Sequence, residues 1–186
     1  MSTLRRSLVL LALTVVAALA AGLAVLDPFH LRHAAWFVAG TVLATVVLAT
    51  LALAVAVKLY LVRVLVLVLG GILAVAWAAV SWLAMGLTDD ARPVSEVASG
   101  AQRLVVLEGA PFAIDPVYRV VLRAGDGPFE QQSDVWIGYA DGPVPDAVAF
   151  RGTDEVEIAV GTCLLVSRVE PVTLAVDPVL RAAPGC

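Results

Sequence analysis

The sequence predicts a membrane protein of mixed α and β class: three transmembrane helices followed by a small all-β extracytoplasmic domain, either an antiparallel sandwich or a partly open barrel. Three observations lead to this prediction. Hydrophobic residues make up 61% of the 186 residues, with a mean hydropathy of +0.95, whereas soluble domains are about 45–50% apolar. Charged residues are rare between positions 7 and 87 and frequent after position 88. The charged region consists of short β-prone runs separated by Gly, Pro and Asp.

Three apolar stretches, residues 7–26, 34–57 and 64–86, are predicted to cross the bilayer. Each has the length of about 20 residues that a helix rising 1.5 Å per residue needs to cross a hydrocarbon core of roughly 30 Å. Residues 58–63, KLYLVR, separate the second stretch from the third. A single helix over 34–86 would be about 80 Å long, so a tight helical hairpin is expected there, although neither Gly nor Pro marks the turn.

Basic residues predict the orientation, because Lys and Arg near short loops stay on the cytoplasmic side. Arg5 and Arg6 precede the first stretch, and Lys58 and Arg63 flank the hairpin turn. Residues 1–6 and 58–63 are therefore expected inside the cell, and residues 27–33 together with everything after the third stretch outside. The predicted location is the cell membrane, crossed several times, with the N-terminus inside and the C-terminal domain outside.

The first stretch has an alternative interpretation as a cleavable signal peptide, because "MSTLRR" precedes the apolar run and "ALA" occupies residues 18–20. The run is longer than the usual 7–15 residues of a signal peptide, which favours an uncleaved anchor. Cleavage would leave the C-terminal domain on the same side.

The predicted spans contain no ionisable residue, which argues against a pump or a coupled transporter. They do contain small residues at four-residue spacing, which lets helices approach closely and pack within the protein or against a partner. The candidate packing residues are Ala18, Gly22, Gly40, Ala44, Gly70, Ala74 and Ala78.

Residues 87–102 are polar and small, and we expect them to form a linker before a β domain over 103–186. Two runs in that domain alternate as strands with one buried face do. In "VYRVVLR", Arg119 and Arg123 share one face, and in "EVEIAV", Glu155 and Glu157 share one. Solvated faces with cross-strand charge pairs explain these residues without a binding site.

The only two cysteines, Cys163 and Cys186, are expected to form a disulfide. The bond would close a loop of 24 residues and, on the loop-entropy model, contribute roughly 3 kcal/mol to the stability of a small domain. This prediction depends on the tail lying outside, where disulfides persist. The alternative is a buried, unbonded Cys163 and a frayed C-terminus.

Composition and motifs argue against several kinds of chemistry. The segment after Thr88 holds fifteen acidic residues and seven arginines, a formal charge of −8, which argues against binding nucleic acid. It contains no histidine and no lysine to act as a catalytic base.

Asp126, Glu130 and Asp134 are expected in one loop, but their spacing does not fit an EF-hand calcium site. No cofactor and no metal site is predicted. His30 and His33 are interpreted as interfacial residues.

The leading functional hypothesis is a non-enzymatic bacterial integral membrane protein that presents its β domain outside the cell to bind a protein, a peptide or an envelope component. Bacterial origin is suggested by eleven Arg against one Lys. The expected partners are the lipid bilayer and a membrane or envelope protein. One alternative is an accessory or scaffold subunit that docks a larger complex through its helices. The other is a metal- or carboxylate-dependent envelope enzyme acting through Asp126 and Asp134.

Overall fold

Three long apolar helices followed by a β domain form this chain, as predicted. The computed structural model describes residues 3–86, 91–109, 117–139 and 142–182. The helices are α1 (Thr3–Leu26), α2 (Ala34–Ala56) and α3 (Tyr60–Gly86). Their apolar segments are 22, 23 and 27 residues long, with mean hydropathies of 2.7, 2.4 and 2.5, so all three are long and apolar enough to cross a membrane.

The helical unit is built around α2, which contacts both α1 and α3. Gly70 of α3 lies directly against the side chain of Thr50 of α2. Nearer the other end of this helix pair, the indole N–H of Trp77 donates to the Ala39 carbonyl at 3.1 Å. Many large apolar side chains on all three helices are exposed. A helix that is apolar all round requires an apolar environment, which a bilayer provides.

Threonine hydroxyls inside the helices bond to the backbone of the preceding turn. Thr14, Thr41, Thr45 and Thr50 each donate to the carbonyl four residues earlier, at 2.6 to 2.8 Å. These bonds satisfy the hydroxyl groups within their own helix, as a hydrocarbon environment requires of a polar group.

The hairpin between α2 and α3 is shorter than predicted. Only residues 57–59 lie outside the helices, so Lys58 lies in the connection but Arg63 belongs to α3. The predicted turn over 58–63 is therefore too long at its C-terminal end. The physical reason is that residues 60–63, Tyr-Leu-Val-Arg, contain no helix breaker, and α3 extends back to Tyr60.

The β unit contains nine strands among its described residues, arranged in two sheets. The first sheet has the order β1-β2-β3-β4-β9, and the second has the order β5-β6-β7-β8. All the described strand pairings are antiparallel except β4 with β9, which is parallel. This one parallel pair departs from the purely antiparallel prediction. The strands are β1 (Arg92–Ser99), β2 (Gln102–Glu108), β3 (Tyr118–Ala124), β4 (Gln131–Ile137), β5 (Ala147–Phe150), β6 (Glu155–Val160), β7 (Cys163–Val169), β8 (Val176–Asp177) and β9 (Leu180–Arg181).

One hydrophobic core joins side chains from both sheets. Its largest member is Trp136 of β4, which is fully buried. The alternation predicted for "EVEIAV" is present, because Val156, Ile158 and Val160 of β6 are buried in this core while Glu155 is half-buried. The first sheet contributes Leu104, Val106, Val120, Leu122 and Val135, and the second sheet and its loops add Val169 and Leu174.

The opposite face of the first sheet is less solvated than the sequence suggested. Val105, Leu107 and Val121 form a second buried cluster there. Val121 lies between Arg119 and Arg123 in the strand, so these arginines flank an apolar patch rather than a fully solvated surface.

The predicted boundary between the linker and the β domain is wrong. Residues 92–99, predicted as linker, form strand β1, which pairs with β2 and has all eight residues exposed. The sequence did not predict this strand because its residues are mainly polar and small. It has no buried face, so it lacks the apolar alternation by which a strand is recognised in a sequence. Between α1 and α2, Pro28–His33 belongs to the same compact unit as the β strands.

Candidate functional site

The segment between α1 and α2 extends the first sheet. Leu31 forms an antiparallel bridge with Gln131, the first residue of β4. The Arg32 amide donates to the Glu130 carbonyl at 2.8 Å, and the Gln132 amide donates to the His30 carbonyl at 2.7 Å. Pro28–His33, within the predicted outer loop 27–33, is thus joined to β4 by a single β-bridge and two flanking backbone hydrogen bonds.

Side chains reinforce this pairing. The imidazole Nδ1 of His30 lies 2.9 Å from the Thr173 carbonyl. A carbonyl can only accept, so Nδ1 carries the proton and Nε2 is the acceptor in the neutral ring. The Gln131 amide group donates to the carbonyls of Phe29 at 2.9 Å and Val172 at 3.1 Å. The segment is therefore held by β4 and by the turn that follows β7.

The carboxylate of Glu130 is the charged centre of this region. Glu130 is only 4% exposed. Its Oε2 accepts from Arg32 Nη1, and its Oε1 accepts from Arg103 Nη2 at 2.9 Å. Arg103 also lies 3.5 Å from Asp126 and 3.8 Å from Glu96. A buried carboxylate needs such compensation, because an unpaired buried charge costs several kcal/mol.

Arg123 adds a third guanidinium beside this carboxylate. Its Nε donates to the Gln132 side-chain oxygen at 2.9 Å. Burial lowers the pKa of the Arg123 guanidinium, and the positive charge of Arg32 lowers it further, while Glu130 raises it. The ion cluster is consequently a network with cations and anions interleaved.

A cavity of about 370 Å³ lies next to this cluster. Along one edge, β4 pairs with β3. At the other edge, the segment around Leu31 bonds to the backbone of Glu130 and Gln132, on either side of the Leu31 bridge. Further along the same edge, β9 pairs with Trp136 and Ile137. The cavity lies beside the part of β4 that separates these two sets of contacts. Its lining consists of His30, Arg119, Gln132, Ser133, Asp134, Ala175, Val176 and Val179.

The lining of the cavity mixes polar and apolar groups. Arg119 Nη1 lies 4.0 Å from Asp134 Oδ1, a distance at the limit of an ion pair. Within the part of the chain that the structure describes, the buried Nε of Arg119 and the buried Oγ of Ser133 have no hydrogen-bond partner. Leaving a buried donor or acceptor unpaired costs about 1–3 kcal/mol. The cavity therefore combines a cation, a carboxylate and an amide with the apolar wall of Val176 and Val179.

The acidic residues considered for calcium binding or catalysis do not form the single loop that was expected. Asp126 has a side chain that is 96% exposed and lies beside Arg103. Asp134 belongs to β4 and lies beside Arg119. Glu130 binds Arg32 and Arg103, as described above. Among the described residues, no group of three or more His, Cys, Asp or Glu side chains is arranged to hold a metal ion.

The cysteine pair and the topology residues are placed only in part. Cys163 is the first residue of β7, opposite Val160. Cys186 lies outside the described residues, so their disulfide stays a prediction. Arg5 and Arg6 lie near the start of α1.

The seven candidate packing residues divide into two groups. Gly70 and Ala74 are half-buried, and Gly70 contacts Thr50 within the helical unit. At Gly22 and Gly40, among the described residues, no atom outside the backbone of the glycine's own helical turns lies within 4 Å of the position that a Cβ would occupy. The exposed members are Ala18, Gly22, Gly40, Ala44 and Ala78.

Sequence reasoning missed the pairing of Pro28–His33 with β4, the ion cluster at Glu130 and the cavity. A partial signal for the ion cluster existed, since Arg32 is the one arginine, and there is no lysine, in the predicted outer loop 27–33. No known protein family, curated protein or solved structure matches this chain.

Proposed function

We propose that this chain is a non-enzymatic bacterial membrane protein whose three helices cross the bilayer and whose β domain, folded as a two-sheet sandwich, binds a short peptide segment outside the cell. The main support for this proposal is the edge of β4 along which the pairing with neighbouring segments is interrupted. Strand edges bind extended peptides through backbone hydrogen bonds, while adjoining pockets select side chains.

The pairing of Leu31 with Gln131 supports the three-span topology. Because Pro28–His33 and β4 belong to one unit, they must lie on the same side of the membrane. Three alternating spans satisfy this condition, whereas one continuous span over 34–86 would separate them. Arg5 and Arg6 near the start of α1, and Lys58 and Arg63 at the hairpin, favour the cytoplasm for those helix ends and the exterior for the β domain.

The length of the interruption in β4 limits the ligand. Between Gln132, which bonds to His30, and Trp136, which pairs with Leu180, lie residues 133–135. Three regular strand residues span about 10 Å at 3.3 Å each, and the bulge at Val135 makes this stretch somewhat shorter. The interval therefore suits a segment of about three residues. Arg119, Asp134 and Gln132 provide charged and amide groups for the ligand backbone or its terminus.

Peptide binding by the full-length protein in nanodiscs tests this proposal. A tetrapeptide library is screened for binding, and the best binders are measured against Arg119→Gln. Arg168→Gln is the matched control, because Arg168 lies on β7 with an 81% exposed side chain. We expect Arg119→Gln to weaken binding at least tenfold and Arg168→Gln to leave it unchanged. Equal affinities for both variants, or no binder in the library, would refute a peptide site at β4.

The proposed exterior location also predicts the disulfide between Cys163 and Cys186. Intact cells are labelled with a membrane-impermeant maleimide before and after an impermeant reductant. Labelling only after reduction supports an external, bonded pair. Labelling that appears only after lysis, without reductant, would mean free thiols inside the cell and would overturn the orientation.

A further inference from the structure

A groove between α2 and α3 lies within the helical unit and has no role in the peptide site. Its volume is about 210 Å³. Its walls include Trp36, Gly40 and Leu43 of α2 and Trp77, Trp82 and Met85 of α3. The residues that line it include none that is ionisable, and its side chains are apolar apart from the Ser81 hydroxyl and the indole N–H groups.

The groove follows from how the two helices approach each other. Where Gly70 meets Thr50, the helices are in direct contact. At Gly40, by contrast, the position of a Cβ has no neighbour within 4 Å in the part of the chain that the structure describes. Trp77 is held in the groove by its hydrogen bond to the Ala39 carbonyl. Its N–H is thereby satisfied, and its ring can serve as an apolar wall.

The groove extends along the helices rather than across them. Trp36 is the third residue of α2, and Met85 is the penultimate residue of α3. From Met85 back to Trp77 the helix rises about 12 Å, at 1.5 Å per residue. In a bilayer the groove would run from the interface to a depth of nearly half the hydrocarbon core.

We propose that this groove holds one hydrocarbon chain of a membrane lipid. The inference rests on the membrane placement proposed above. Charge and size select the occupant: the uncharged lining complements an uncharged chain, and a helix, about 10–12 Å in diameter with its side chains, could not enter a groove of 210 Å³. The exposed rings of Trp36 and Trp82 suit the boundary between headgroups and acyl chains.

Photocrosslinking with a defined lipid tests the proposal. The full-length protein is reconstituted in phosphatidylcholine nanodiscs that contain phosphatidylcholine with a diazirine on its acyl chain, and adducts are mapped by mass spectrometry. Gly40→Leu should fill the groove without a backbone clash. Gly71→Leu is the control, since Gly71 also has no described neighbour within 4 Å of its Cβ position but does not line the groove.

We expect adducts concentrated on residues 36–43 and 77–85 in the wild type and in Gly71→Leu. Gly40→Leu should reduce these adducts to the level found on the rest of the helix surface. Adducts spread evenly over α2 and α3, or unchanged by Gly40→Leu, would overturn the lipid site. Crosslinks to a second copy through the groove would overturn it in favour of a helix interface. Release of the chain from membranes by a carbonate wash would instead refute the membrane placement itself.

Discussion

Arg32, two residues before α2, donates a hydrogen bond to the buried carboxylate of Glu130, which lies 98 positions later in the chain. Arg103 of β2 binds the other oxygen of the same carboxylate. Three segments that are far apart in the sequence therefore meet at the carboxylate of Glu130. Removing Glu130 affects all three, and removing Arg32 affects the attachment of Pro28–His33 to β4.

The Glu130 cluster should matter more to stability than an exposed ion pair. We expect Arg32→Gln to lower the free energy of unfolding of the β unit by about 1–3 kcal/mol, because the substitution removes a positive charge that compensates a buried carboxylate. Arg32 is partly exposed, so the loss should be smaller than for a fully buried ion pair. The loss of hydrogen-exchange protection at the β2, β3 and β4 amides with increasing denaturant measures the change. Arg168→Gln, at an exposed pair with Glu155, should cost about 0.5 kcal/mol or less. Equal losses would contradict a special role for Glu130.

Burial on β6 should determine the cost of truncation in the core. Ile158 is fully buried, whereas Leu164 on the neighbouring strand is 60% exposed. We expect Ile158→Ala to destabilise the β unit by about 2–5 kcal/mol, since it leaves a cavity. Leu164→Ala should cost clearly less. Denaturant unfolding compares the two variants. A similar loss of stability in both would contradict the burial of Ile158 in the core shared by the two sheets.

The contact of Gly70 with Thr50 should make this glycine intolerant of any side chain. A Cβ at Gly70 would overlap the Thr50 side chain, whereas Gly71 has open space. We expect Gly70→Ala to lower the thermal stability of the helical unit in detergent and Thr50→Ala to restore part of it. Gly71→Ala should have little effect. If both glycine variants behave alike, the close approach of α2 and α3 is refuted.

This contact also changes how the accessory-subunit alternative can be tested. Gly70→Leu would disrupt the helical unit itself, so loss of a complex in that variant would not indicate docking. Gly22→Leu is the better probe, because no neighbouring side chain among the residues that the structure covers lies within 4 Å of a Cβ at that position. If the chain docks a larger complex through the exposed face of α1, Gly22→Leu should abolish co-purification of the partner while the helices remain folded.

The turn after β7 should depend on pH through Glu170. Glu170 Oε2 accepts from the amides of Val172 and Thr173 and from the Thr173 hydroxyl. These bonds, led by the Thr173 amide, lower the pKa of the Glu170 carboxyl. A carboxyl whose pKa is depressed on folding stabilises the turn at pH above its ordinary unfolded pKa, and this stabilisation is lost as pH falls through the folded pKa.

Hydrogen-exchange protection of the Val172 and Thr173 amides, measured from neutral to acidic pH, tests this expectation. Protection should fall with acid in the wild type and be lower and nearly constant in Glu170→Gln, while protection in β6 stays unchanged in both. A Glu170→Gln variant that keeps the wild-type pH profile would rule out this carboxyl as its source.

Much of the architecture was predictable because hydropathy and alternation are local properties. Twenty-residue apolar runs predicted α1 to α3, and the pattern of β6 predicted which of its side chains are buried. The same rules failed at β1, where all residues are exposed, and at the start of α3, where no breaker marks the boundary. The seven small residues could be recognised by spacing, but spacing could not say that Gly70 meets Thr50 while Gly40 borders an open groove.

The sequence by itself determined the division into apolar helices and short strands, since each follows from the side chains of consecutive residues. Only the tertiary structure decided that Pro28–His33 joins β4, that Glu130 binds Arg32 and Arg103, and that a cavity opens where the pairing of β4 is interrupted. Those features join residues tens of positions apart. Their energies depend on burial and on distances of a few ångströms, which no local pattern encodes.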